Sequence, residues 1–233
     1  MIEKKIHYIW FGGEKPSKVE KLINSWKEKL PDYEIIEWNE KNIDIEKEMK
    51  ENRFFRECYT RKLWAFASDY IRVKVMYENG GIYLDTDMEI LKSLDPFLEN
   101  EFFIGKENRE TISFGIVGSI KKHNFFKRML EFYESEIWSS DLYIVTGIAS
   151  YICKKYKQEL KDIKIYEPVY FYPYTQDEIL TSAHIKEETY AIHHWGKSWG
   201  KNSAVYFLKY KHIKSPLKEI KIFCKLFRNY IKK

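Results

Sequence analysis

The sequence predicts an α/β domain with a mostly parallel sheet flanked by helices, followed by a short basic helical tail. Short apolar runs alternate with longer segments whose apolar residues recur every three or four positions, an order that builds strand–helix–strand units. Glycine pairs close two of these segments. With 233 residues the chain can bury one sizeable core and is short for two. The expected organisation is one domain over residues 1–213 and a tail over 214–233.

The elements follow in order. Lys5 to Phe11 is an apolar, aromatic run stopped by Gly12-Gly13, a buried strand with a turn after it. Residues 16–29 open with Pro16 and place Val19, Leu22, Ile23 and Trp26 on one face, an amphipathic helix with proline in its favoured first turn. Residues 33–38 form the next strand. In residues 60–79, Leu63, Phe66, Ala67, Tyr70, Val73 and Tyr77 line one side of a long helix that Gly80-Gly81 ends. Ile82-Tyr83-Leu84 is then a very short apolar strand delivering Asp85-Thr86-Asp87. Further strands are expected at 102–105, 112–119, 164–166 and 189–193, with helices at about 124–137 and 146–157.

Composition sets the class. Hydrophobic residues at 44% and charged residues at 32% belong to a folded chain, not a disordered one. Aromatic residues at 17% are abundant enough to supply stacking surfaces for flat rings or sugar faces as well as core. Three cysteines, Cys58, Cys153 and Cys224, show no metal-ligand spacing and cannot all pair, which fits a reducing compartment. No leader precedes the first strand and no apolar run reaches the ~18 residues of a membrane span, so a cytoplasmic protein is expected, with the inner face of the membrane as an alternative station. A net charge of +5, weighted to the last thirty residues, favours anionic partners in general and gives nucleic acid no specific support.

Two carboxylates at i and i+2 on an extended strand end point to the same side, where they repel unless a cation sits near them. Hard divalent ions such as Mn²⁺ or Mg²⁺ favour such oxygen sites and leave positions for diphosphate oxygens. A bare D-x-D is more often just two solvated loop aspartates. Here the pair follows a helix, a glycine stop and a buried strand, the place where α/β sheets bind ligands. Asp69 and Arg72, at i and i+3 on the preceding helix, read alone as an ion pair. Before the D-x-D strand they can also meet sugar hydroxyls and phosphate.

The runs Lys5-Ile6-His7-Tyr8-Ile9-Trp10, Ala67-Ser68-Asp69-Tyr70-Ile71-Arg72 and Asn79-Gly80-Gly81-Ile82-Tyr83-Leu84-Asp85-Thr86-Asp87, with the later His194-Trp195-Gly196-Lys197-Ser198-Trp199, resemble the DXD-containing glycosyltransferases of family 32. Bacterial capsular and surface-polysaccharide enzymes belong to that family, and the clostridial glucosylating toxins are distant relatives. The resemblance implies a GT-A fold with a mostly parallel, Rossmann-like sheet, and a retaining hexose or N-acetylhexosamine transfer from a UDP-sugar with Mn²⁺ or Mg²⁺. The acceptor it implies is a saccharide or lipid-linked glycan. By position, Trp10 would stack on the base with the Ile9 backbone reading its edge, and Tyr83 would line the nucleotide pocket. Asp69 and Arg72 would bind the donor sugar, Asp85 ribose and sugar hydroxyls, and Asp87 the metal. His194 would be the second protein ligand, with Lys197, Ser198 and Trp199 on the diphosphate. His193 reads as the bystander.

The chain departs from the family at Ile112-Ser113-Phe114-Gly115, where relatives often carry an asparagine pair, and at Thr146-Gly147-Ile148, where they often have Thr-Gly-Pro. Donor and acceptor identity therefore do not carry over. In the tail, Leu217, Ile220, Phe223, Phe227, Tyr230 and Ile231 share a helical face edged by Lys218, Lys221, Lys225, Arg228, Lys232 and Lys233, which suits either an anionic membrane or packing on the domain. The rival functions are a haloacid-dehalogenase-like phosphohydrolase, which also uses D-x-D, and a non-catalytic nucleotide-sugar-binding module.

Overall fold

A computed structural model describes residues 1–196 and 205–213. The order is β1 (Lys5–Ile9), α1 (Ser17–Lys29), β2 (Glu34–Trp38), α2 (Ile45–Glu51), α3 (Arg53–Thr60), α4 (Trp64–Asn79), β3 (Gly81–Leu84) and β4 (Met88–Ile90). It continues through β5 (Phe102–Lys106), β6 (Ile112–Ser119), α5 (Asn124–Glu131), α6 (Val145–Lys155), β7 (Ile163–Tyr166), α7 (Pro168–Phe171), β8 (Ala191–His193) and α8 (Val205–Tyr210).

The main sheet runs β2-β1-β3-β6-β5-β7, and β4 pairs with β8 in a separate two-stranded ribbon. β1 is parallel to β2 and β3, and β5 to β7, whereas β6 is antiparallel to both its neighbours. Five strands therefore point one way and β6 alone runs back, which confirms a mostly parallel sheet. Its two faces carry separate apolar layers. One holds Phe54, Phe55, Phe66, Tyr70 and Met129 from α3, α4 and α5. The other holds Ile23 and Trp26 of α1 with Leu84, Met88, Phe97 and Tyr172.

Two local features aim the chain at the site. Gly80 stands at φ 69°, ψ −154°, and Gly81 at φ 86°. A Cβ on Gly80 would lie 2.6 Å from the Lys121 amide nitrogen, so the turn from α4 into β3 requires glycine on both conformational and steric grounds. The Trp26 indole donates to the Met88 carbonyl at 2.8 Å inside the core, tying α1 to the ribbon just past the D-x-D.

Three differences from the expected elements have simple causes. α2 and α3 arise in a charged stretch without a long apolar stripe, each started by a side-chain cap: Asp44 accepts from Lys47 N–H and Asn52 from Phe55 N–H. β4 is three residues long, below the length at which alternation is visible. The helix expected over 124–137 is α-helical only to Glu131 and widens into a π turn over Phe132–Glu136. The tail over 214–233, and with it the boundary at residue 213, lies outside the described residues.

Candidate active site

β3 ends at Leu84 in the middle of the sheet, and the chain turns sharply there, Met88 N–H donating to Asp85 O at 3.0 Å. The turn presents Asp85 and Asp87 beyond the carboxyl end of the strand, as expected of a ligand site in a parallel sheet.

Asp85 is held from behind. Its Oδ1 accepts from Arg72 Nη2 at 2.9 Å and from the Tyr83 hydroxyl at 3.0 Å. Arg72 Nη2 also meets Asp69 Oδ1 at 3.0 Å, and Nη1 donates to Phe114 O at 3.0 Å. The guanidinium lies over the Tyr83 ring, 4.4 Å from its centroid. Arg72 is thus a buried hub that fixes one aspartate from its own helix and one from the D-x-D turn. Burial pushes the Asp69 carboxyl up to about 7, against the pull of Arg72 and with the negative charge of Asp85 adding to the rise. Tyr83, which the family resemblance places at the nucleotide, is only 2% exposed and supports Asp85 from within the core.

Asp87 is gripped by the ribbon and the residues after it. His193 Nε2 lies 3.1 Å from Asp87 Oδ1, Gly196 N–H donates to Oδ2 at 2.6 Å, and His194 N–H donates to the Asp87 carbonyl at 3.0 Å. Burial would raise the Asp87 carboxyl, but the His193 hydrogen bond and charge and the Gly196 amide outweigh it, leaving the group below its ordinary range. For His193 burial acts downward, yet the Asp87 contact and the charges of Asp87, Asp85 and Glu107 win, and the imidazole is raised.

The histidine that meets the aspartates is His193, where the family match had put His194. The His194 ring turns to Glu89, with Nε2 at 2.8 Å from Oε2. The cause is the pleat of β8. Met88 opposes His193 and Glu89 opposes Ile192, so period-two alternation sends His194 to the Glu89 face and His193 to the other.

Asp85, Asp87 and His193 each offer a ligand atom within 4.8 Å of the others. Two carboxylates and an imidazole suit a divalent ion such as Mn²⁺. His193 also keeps Nδ1 buried and without a hydrogen-bond partner among the described residues, a second sign of a ring placed for something besides protein contacts.

Of the remaining expected residues, Ile9 is buried at the end of β1 and Trp10 follows it, half-buried, with its indole donating to Gly13 O at 2.9 Å. Both stand at the carboxyl edge of the sheet beside β2, the Trp10 amide donating to Trp38 O. Lys197, Ser198 and Trp199 lie outside the described residues.

Two residues without a sequence signal complete the surroundings. Tyr172, from the segment after α7, packs edge-on against His193 at 5.7 Å and accepts from Ile116 N–H at 3.0 Å, locking β6 to the histidine. A Cβ on Gly115 would sit 3.2 Å from that hydroxyl, which explains the glycine in the strand that departs from the family. Glu107, just past β5, is half-buried in the field of His193. Burial raises its carboxyl, and His193 and a hydrogen bond with Ser113 oppose the rise. A tyrosine after a helix and a glutamate in a turn belong to no motif, so only the fold could reveal them.

The sheet order and the position of the D-x-D turn define a GT-A glycosyltransferase fold. The PaToxG glycosyltransferase superposes with a TM-score of 0.56 at 16% identity over 69% of this chain and 70% of that one. The UDP-bound glycosyltransferase domain of the YGT toxin does so with 0.53 at 12% identity over 99% and 90%.

Residues 16–104 match the family model described as the glycosyltransferase sugar-binding region containing DXD motif. Inositol phosphoceramide mannosyltransferase 2 of Schizosaccharomyces pombe is 26% identical over 219 residues, 88% of this chain and 60% of the relative. Mannosyl phosphorylinositol ceramide synthase SUR1 of Saccharomyces cerevisiae is 25% identical over 73% and 48%. The subversion of eukaryotic traffic protein A of Legionella pneumophila is 32% identical over 37% and 17%. The chain thus spans less than two thirds of the length of each of these relatives.

Proposed function

We propose that the protein is a metal-dependent glycosyltransferase that moves a hexose or N-acetylhexosamine from a nucleoside-diphosphate sugar to a saccharide or lipid-linked acceptor. The observation that carries the reading is the Asp85, Asp87 and His193 cluster at the carboxyl end of β3, in a GT-A sheet. The fold and the family region favour it over a phosphohydrolase, and the intact cluster favours it over a binding module that has lost turnover.

Asp87 and His193 would hold the metal, with Asp85 beside them. A bound Mn²⁺ or Mg²⁺ would supply positive charge against the diphosphate as the sugar–phosphate bond breaks. The protein's part is positioning. Arg72 and Tyr83 fix the Asp85 carboxylate, Gly196 and His193 fix Asp87, and the Asp69 carboxyl, near its midpoint at neutral pH, can both donate to and accept from sugar hydroxyls. Transfer with retention of configuration, and a UDP donor, rest on the family resemblance. The relatives' printed names add mannose to the sugars to be tried and an inositol phosphoceramide to the acceptors.

A surface-polysaccharide role at the inner membrane face is the corresponding biological proposal, with the basic residues of 214–233 touching anionic lipid. Deleting 214–233 should then release the protein from anionic liposomes, and equal sedimentation of the truncated chain would remove the membrane role. Thermal shifts with UDP and GDP, each with and without Mn²⁺, test the pocket. One nucleotide should stabilise the protein in the presence of the metal, and ¹H NMR of the product should show the donor's anomeric configuration kept. An inverted product would defeat the retaining reading.

A further inference from the structure

β8 ends at His193, and the residues that follow it decide how Asp87 is held. Met88 opposes His193 across the ribbon, so an unbroken ladder would set His194 opposite Asp87, Trp195 opposite Thr86 and Gly196 opposite Asp85. The chain keeps to that course at His194, whose N–H donates to the Asp87 carbonyl at 3.0 Å. Then it turns back. Gly196 N–H reaches the side chain of the same aspartate, 2.6 Å from Oδ2. A Cβ on Gly196 would lie 2.9 Å from that oxygen, so the close approach requires glycine.

The turn is made at Trp195, whose φ is 51°. That is the left-handed region, which bulky L residues avoid. Two other described non-glycine residues share it, Lys62 and Lys122, and both are exposed residues of turns. Trp195 is instead half-buried beside the aspartate and histidine of the candidate site. Its ring centroid lies 4.4 Å from that of His193 and 6.1 Å from that of Tyr172. Its indole N–H donates to Tyr174 O at 3.2 Å. With Tyr172 edge-on at 5.7 Å, the His193 imidazole meets two aromatic rings while its Nε2 faces Asp87 Oδ1. A strained backbone persists only where its surroundings over-determine it, and here the ring contacts and the indole bond do so.

We propose that Trp195 is a positioning residue, whose left-handed turn and anchored ring hold the Asp87 carboxylate and the His193 imidazole together as a metal-binding pair. The backbone sets one partner and the side chain the other. The turn aims Gly196 N–H at Oδ2, and the ring packs the imidazole whose Nε2 stands 3.1 Å from Oδ1. Losing the ring and the indole would remove the anchors while keeping the penalty of a left-handed L residue. Residue 195 should then relax to the extended course and withdraw Gly196 from Asp87. The metal-binding consequence rests on the glycosyltransferase reading, whereas the turn does not.

The test compares Trp195→Ala and Trp195→Phe with Trp138→Ala as a control, each in the full chain. Trp138 is a half-buried ring packed on Phe54 and Phe207 in the other apolar layer, so its loss reports on stability alone. In metal-free crystal structures Gly196 N should stay within hydrogen-bond distance of Asp87 Oδ2 in Trp195→Phe and leave it in Trp195→Ala. By calorimetry Trp195→Ala should bind Mn²⁺ about tenfold or more weakly, as expected when a group that supports a ligand is lost. Trp195→Phe should recover most of that affinity, and Trp138→Ala should match the wild type. Wild-type Mn²⁺ affinity in Trp195→Ala, an equal loss in Trp138→Ala, or an unmoved Gly196 in the Trp195→Ala crystal would overturn the assignment. If the wild-type chain binds no Mn²⁺, the metal-dependent reading fails by itself, while the crystal structures still decide whether Trp195 holds Asp87.

Discussion

A histidine serves a metal by where its ring points, and the pleat of β8 points His193 and His194 to opposite faces of the ribbon. With His193 Nε2 at 3.1 Å from Asp87 and His194 committed to Glu89, the two should differ sharply on substitution. We expect His193→Ala to weaken Mn²⁺ binding by more than the ~10–100-fold typical of losing a group that merely supports a ligand, measured by calorimetry, and His194→Ala to stay near wild type. The reverse pattern would restore His194 as the ligand. Arg72 makes a second residue-level prediction. Its guanidinium neutralises Asp69 and Asp85 inside the protein, so Arg72→Met should cost about 3–5 kcal/mol in urea unfolding, the range for breaking a buried ion pair. A cost below about 1 kcal/mol would mean that the hub does not hold the site, since that is the range of exposed pairs. The motif alone showed that Asp69, Arg72, Asp85 and Asp87 belong together. It could not show which way Arg72 faces, nor that Tyr83 supports the site from inside the core.

At the scale of elements, the D-x-D turn is set by what precedes and follows it. α4, the Gly80-Gly81 turn and β3 act as one delivery unit, legible in the sequence because a long apolar stripe, a glycine pair and a short apolar run are each strong local signals. Gly80→Ala should cost more than about 1 kcal/mol, because the new Cβ meets the Lys121 amide at 2.6 Å in a backbone conformation that L-residues avoid. An unchanged melting temperature would show that the turn can relax. Of the ribbon, β8 was legible as a strand within 189–193, whereas β4 and the pairing of the two were not, for the opposite reason. Three-residue strands from positions a hundred residues apart carry no periodicity, and their pairing decides which histidine joins Asp87. Likewise α2 and α3 depend on capping residues, Asp44 and Asn52, rather than on an apolar face long enough to read.

For the molecule as a whole, stability and activity should respond to pH through different groups. His7 is fully buried beside Gly81, accepts from the Trp38 indole at 3.1 Å, and is held down at about 4 chiefly by burial. In the unfolded chain it takes a proton near 6.5, so the unfolded state binds more protons between those values and stability falls as pH drops through the window. Asp69, raised to about 7, opposes this trend, because its folded form holds a proton that the unfolded chain has already lost. The comparison that isolates His7 is therefore the wild type against His7→Gln. The wild type should lose about 3 kcal/mol relative to the variant between pH 7 and pH 4, because each tenfold difference in proton affinity between the folded and unfolded chain is worth about 1.4 kcal/mol. A constant difference across that range would show that His7 is not held neutral.

Metal-assisted sugar transfer at Asp85, Asp87 and His193 is the proposal on which the other expectations rest. Its most direct test is a panel of UDP- and GDP-sugars, with and without Mn²⁺, scored by release of the nucleoside diphosphate. Release should occur from one donor, depend on the metal and be absent in a folded Asp87→Ala variant. Metal-independent release, near-normal turnover in that variant, or silence across the panel together with no nucleotide-induced thermal shift would contradict it.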